Sequence, residues 1–115
     1  MSSEKKLKEI ALNYKKNLSI CMKNNDYDEP KLMLFDSAYE VQKLYANVAN
    51  NEEAKEKKEI LRVNFVLASL ERKMATIIWK EYFFPIEKFW WMRYYSRSTF
   101  YRLRKKAIEE FLCLY

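Results

Sequence analysis

Glycine and histidine are both missing from this chain of 115 residues, and proline occurs only twice. Without glycine, every backbone position that needs a positive φ falls to another residue, and tight hairpins lose their usual turn residue. The absence argues against sheets and for helices joined by short polar turns. Asn24-Asn25 and Asn50-Asn51 are the natural substitutes, because Asn tolerates the left-handed conformation better than most residues.

The same absences bear on chemistry. No histidine means that the commonest general acid–base is missing. No glycine means that no phosphate-cradling loop can be built. Glu52, Glu53, Glu56 and Glu59 interleave with Lys55, Lys57 and Lys58, which reads as a solvated helix face and not as a metal site. The expectation is a protein with no catalytic residues, no metal site and no cofactor.

Cysteine is scarce as well. Cys21 and Cys113 lie near opposite ends and fit no zinc or redox spacing. They are expected to be buried free thiols in a reducing, cytoplasmic setting. The Lys-rich start has no apolar core of a signal peptide, and no apolar run is long enough to span a bilayer. No integral membrane segment is therefore expected.

What the chain does have is apolar and aromatic mass. Half of its residues are hydrophobic, 17% are aromatic and 33% are charged. A chain of this size can bury roughly two-thirds of the surface its unfolded form exposes. The formal net charge of +6 says little by itself, but its distribution says more. Arg93, Arg97, Arg102, Arg104, Lys105 and Lys106 form a run that no Asp or Glu interrupts.

Hydrophobic periodicity predicts an all-α helical bundle of about five helices, at 3–24, 30–49, 51–82, 86–93 and 97–113. In the first, Leu7, Ile10, Tyr14, Leu18 and Cys21 make one apolar stripe, with the lysines largely opposite. Pro30, after Asp28 and Glu29, opens the second, whose apolar face includes Leu32, Phe35, Tyr39, Leu44 and Val48. Asn50 and Glu53 have capping-box spacing before the third. There Ile60, Val63, Leu67, Leu70, Met74 and Ile77 form a heptad-like seam, too short for a coiled coil, with a bend expected near Ser69. Packing within the chain is the default for that seam, and a homodimer is the alternative. Pro85 ends this helix at Phe84. Tyr94-Tyr95 then makes a turn, and Ser96 caps the last helix. A weak boundary at Ser69 separates an N-terminal helical region, 1–68, from a C-terminal module, 69–115. The first is read as a packing, dimerisation or partner-docking unit.

The C-terminal module has the outline of a helix-turn-helix: a helix, a short helix, a tight turn and a basic helix. In the last helix Phe100, Leu103, Ala107, Ile108 and Phe111 share one stripe. Arg97, Ser98, Tyr101, Arg102 and Lys105 fall mostly on the other side and are the candidates for reading base edges, where Arg is the best partner of guanine. Arg93, Ser96, Thr99, Arg104 and Lys106 are the candidates for phosphate contacts.

The run from Ser96 through Ile108, Ser-Arg-Ser-Thr-Phe-Tyr-Arg-Leu-Arg-Lys-Lys-Ala-Ile, resembles the recognition helix of sigma-70 region-4-like modules, and more closely that of ArpU-type phage transcriptional regulators. Leu70-Glu71-Arg72 through Ile77-Ile78 and Tyr82-Phe83 resembles the first helix of that module. The resemblance covers about 45 residues of the chain and none of its N-terminal part. It implies sequence-specific binding of double-stranded DNA in transcription, with Arg97, Ser98, Tyr101 and Arg102 at base-facing positions. The chain departs from the pattern at Tyr94-Tyr95, where the module has a small residue or glycine. It departs again at Phe89-Trp90-Trp91, where a small residue usually packs on the last helix.

Two other readings compete. A basic amphipathic helix is often only a solvated helix, and the chain would then be a non-enzymatic protein-interaction module, bound to RNA polymerase or to itself. The aromatic cluster Trp79, Tyr82, Phe83, Phe84, Phe89, Trp90, Trp91, Tyr94 and Tyr95 reads first as core packing. A membrane-surface anchor and a base-stacking platform for single strands are its alternatives. Trp90 and Trp91 cannot share one helix face, so at least one of them edges the core or meets a partner.

Overall fold

The computed structural model describes residues 2–23, 55–85 and 87–115. These form four α-helices, with no strand among the described residues: α1 (Ser3–Lys23), α2 (Lys55–Ser69), α3 (Arg72–Ile78) and α4 (Arg97–Leu114). A π-helical turn, Trp79–Phe83, continues α3, and a 3₁₀ turn, Trp90–Arg93, precedes α4. The helix expected at 30–49 and the turns around Asn24-Asn25 and Asn50-Asn51 lie outside the described residues.

Each helix buries the stripe that its periodicity marks. In α1 Leu7, Ile10, Ala11, Tyr14 and Leu18 face inward. In α2 and α3 the whole seam of Ile60, Val63, Leu67, Leu70, Met74 and Ile77 is buried within the chain. One continuous cluster joins all of these except Ile77 to Trp79, Tyr82 and Phe83 and to Ala107, Ile108 and Phe111 of α4. The core therefore runs across the boundary at Ser69. α1 packs on α2, on the π-helical turn and on α4.

The continuous helix expected over 51–82 is divided at Leu70, next to the anticipated bend. Ser69 Oγ donates to the Phe65 carbonyl at 2.8 Å, a backward bond that competes with the helix ladder. Leu70 N then bonds Leu67 O at 3.3 Å, tightening the last turn. Glu71 is extended, with φ −57° and ψ 138°, and its carbonyl starts α3.

Trp79, Tyr82 and Phe83, at i, i+3 and i+4, share the inward face of the π-helical turn and are buried. Its ring closes through Phe84 N to Trp79 O at 2.9 Å. Phe84 then turns away with φ −134° and ψ 71°, as the residue before Pro85 must. Tyr14 meets Trp79 and Phe83 edge-on, with centroids 6.0 and 5.2 Å apart. Its hydroxyl donates to Asn64 Oδ1 at 2.9 Å, which lets both polar groups lie in the core.

Two expectations are corrected. The helix expected at 86–93 is a single 3₁₀ turn, because Phe89 has φ −113° and ψ 38° and cannot carry a helix into Trp90. Cys113 is exposed and not buried, since it follows Phe111 by two residues and so points away from that side chain's inward face. The side chain of Cys21 lies outside the described residues.

Burial pushes the Tyr82 phenol well above its ordinary value of 10.0. Arg104 opposes that rise, whereas Glu4, which accepts the phenol's hydrogen bond at 3.3 Å, and Glu81 add to it. Below pH 10 the phenol keeps its proton folded or unfolded. Above that, the unfolded chain gives it up first, so the contribution to stability falls as pH rises. Tyr82→Phe, which cannot titrate, is expected to lose less stability than the parent between about pH 9 and 11. Urea unfolding at the two pH values measures this, and equal losses in both proteins contradict it.

Candidate nucleic-acid interface

α4 begins where the sequence places it. Ser96 is extended, with φ −70° and ψ 160°, and its Oγ accepts from Thr99 N at 3.3 Å. The same hydroxyl donates to Thr99 Oγ1 at 2.9 Å. This cap satisfies one of the unpaired amides at the helix start and fixes the direction in which the helix leaves the turn.

The inner stripe of α4 is held in two places. Along its length, Ala107, Ile108 and Phe111 enter the main core. At its N-terminal end, Phe100 is fully buried with Ile77 and Trp91 in a second cluster, flanked by Trp90, Tyr95 and Leu103. Trp91 and Phe100 stack nearly parallel, 5° apart in plane and 4.4 Å between centroids. Trp90 meets the same ring edge-on at 5.9 Å. The adjacent tryptophans thus divide their work: Trp91 is core, and half-buried Trp90 borders it.

The outer face carries the residues expected to read bases. Arg97, Ser98, Tyr101, Arg102 and Lys105 are all exposed. Of the phosphate candidates, Arg93, Ser96 and Lys106 are exposed, whereas Thr99 and Arg104 are half-buried. Thr99 belongs to the cap. Arg104 is drawn inward, where its Nη1 donates to Glu81 Oε2 at 3.2 Å and its guanidinium lies 4.7 Å from the Tyr101 ring centre. It is a tie that holds the helix, more than a free cation.

Glu81 is the residue that sequence reasoning passed over. Its other oxygen accepts from Trp90 Nε1 at 3.0 Å. One carboxylate thereby joins the π-helical turn, the 3₁₀ turn and α4, and it neutralises one cation of the basic run. A signal existed, for Glu81 is the only acid between Arg72 and Ile86 and sits among aromatics. Nothing in the local pattern connects it to a residue 23 positions away. Glu4 and Glu109 mark the edge of the positive face, lining a groove with Tyr101, Arg104 and Lys105.

Among the described residues, no group of three or more His, Cys, Asp or Glu side chains could hold a metal ion, and no helix is long and apolar enough to cross a membrane. No family model matches the chain, and no curated protein or solved structure matches it either.

Removing the Glu81 carboxylate leaves Arg104 and the Trp90 indole short of an acceptor in a half-buried setting. Glu81→Ala is expected to cost about 1–3 kcal/mol of stability, and Glu81→Gln, which keeps an acceptor for the indole, to cost less. Denaturant unfolding of the two variants checks the order. An alanine variant as stable as the parent contradicts the tie.

Proposed function

We propose that this chain is a non-enzymatic, DNA-binding transcriptional regulator that docks α4 in the major groove as the last helix of a helix-turn-helix. One observation carries the reading: α4 is capped, pinned by its inner stripe, and presents Arg97, Ser98, Tyr101, Arg102 and Lys105 together to solvent. A helix fixed in this way can place side chains against base edges at little further cost in ordering. Arg97 and Arg102 have the fork that suits guanine, while Ser98, Tyr101 and Lys105 offer shorter or more adaptable contacts. Arg93, Lys106 and the capped helix start would hold the phosphates on either side. Arg104 stays with Glu81 and orients the helix. The role in transcription rests on the resemblance to sigma-70 region-4-like and ArpU-type modules.

The departures from that module have a packing rationale. The bulky Phe89-Trp90-Trp91 run replaces a full second helix by one 3₁₀ turn, and Trp91 supplies through its stack on Phe100 the contact that a small residue and a longer helix would supply otherwise. A second reading is a protein-interaction module, docking on RNA polymerase or on a second copy. The exposure of Phe89 (52%) and Met92 (63%) beside α4 favours it, since large apolar side chains at a surface mark contact sites.

Fluorescence anisotropy with mixed-sequence duplex DNA across a salt series tests the proposal. With about four to six phosphates neutralised, log affinity falls with log salt at a slope of roughly −4 to −5. Arg97→Ala/Arg102→Ala weakens binding. No binding by the parent at low salt overturns the proposal in favour of the protein-interaction reading.

A further inference from the structure

The aromatic cluster that looks uniform in sequence is split by the fold. Trp79, Tyr82, Phe83 and Trp91 are core. Trp90, Tyr94 and Tyr95 instead line an open groove of about 620 Å³ against the outer face of α3 and its π-helical continuation. The facing wall is Arg72, Thr76 and Lys80, four residues apart and so on one side of the helix, with Lys73 at the margin. Glu71 pairs with Lys73 at 3.7 Å, and among the described residues no acidic side chain lines the groove itself.

We propose that this groove takes one unstacked nucleotide of a single strand, its base against Tyr94 and its phosphate between Arg72 and Lys80. Tyr94 is 70% exposed, with its ring 6.5 Å from that of Tyr95, so a planar face is free to accept a base. The Lys80 ammonium lies 4.9 Å over the Trp90 ring, which places a cation beside the aromatic wall. Cations tracking a backbone, next to aromatic rings that accept any base, are the two components of single-strand recognition. The groove is open to solvent, which admits a polymer where a small free ligand would gain from enclosure.

This site is separate from the outer face of α4, and its test separates the two. Tryptophan fluorescence, in which half-buried Trp90 is the reporter, is titrated on the full chain with an oligothymidylate of about eight nucleotides and with thymidine monophosphate. The oligonucleotide is expected to quench the signal at micromolar concentration and the monophosphate to bind far more weakly. Arg72→Ala/Lys80→Ala weakens the oligonucleotide, and Tyr94→Ala weakens it roughly five- to hundred-fold, the loss of one stacked base. All three residues are at the surface, so these variants keep the core. Arg97→Ala/Arg102→Ala leaves the quenching unchanged even if it abolishes duplex binding. Equal affinity for the monophosphate assigns the groove to free nucleotides and overturns the strand. No quenching by either probe, or loss in the Arg97/Arg102 variant alone, overturns the site.

Discussion

The stack of Trp91 on Phe100 fixes the position from which α4 starts, and the surface that α4 presents depends on it. A helix of 18 residues in a chain without glycine has no flexible joint at its start. Its direction is set by the 3₁₀ turn before it, and that turn is held by the buried indole below and by Glu81 at its side. Further along, Ala107, Ile108 and Phe111 lock the helix to a core shared with α1, α2 and the π-helical turn. Rotation of α4 about its axis would expose Phe100 and Phe111 and break the Arg104–Glu81 pair together. These side chains act in concert to keep the basic face outward.

Charge in this region is arranged by the fold more than by the sequence run. Along the chain the basic residues from Arg93 to Lys106 are uninterrupted. In space Glu81 claims Arg104, and Glu4 and Glu109 border the remainder. The cations left to meet a partner are Arg97, Arg102 and Lys105 on the outer face, with Arg93 and Lys106 on its flanks. A compact positive face with acidic edges suits a partner that must be held in one register, because carboxylates at the rim disfavour displaced poses of a polyanion.

The sequence made the periodic features legible and left the paired ones hidden. Each seam residue from Ile60 to Ile77 is buried, and the Ser96 cap and the Pro85 stop are where their chemistry places them. The break at Leu70 was only half legible, because no proline or glycine marks it and the Ser69 hydroxyl that turns back on its own helix there is a bond that Thr76 also makes inside the unbroken α3. The helix expected at 86–93 failed because Phe89, Trp90 and Trp91 have ordinary helical tolerance, and only their different placement, with Phe89 exposed, Trp90 half-buried and Trp91 in the core, goes with the tighter turn. Glu81 stood out as a lone acid among aromatics, but its partner could not be assigned, since a tie across 23 residues leaves no trace in local spacing. The exposed position of Cys113 shows the converse: a residue type that is usually buried follows the helix face it occupies.

The division of α4 into a held face and an offered face is tested most directly by amide and side-chain NMR shifts during titration with a mixed-sequence duplex at low salt. The account predicts that the largest changes fall on Arg97, Ser98, Tyr101, Arg102 and Lys105, while Phe100, Ala107 and Phe111 scarcely move. Changes centred on α1 or on the Phe89–Met92 surface, or no changes at all, would contradict it.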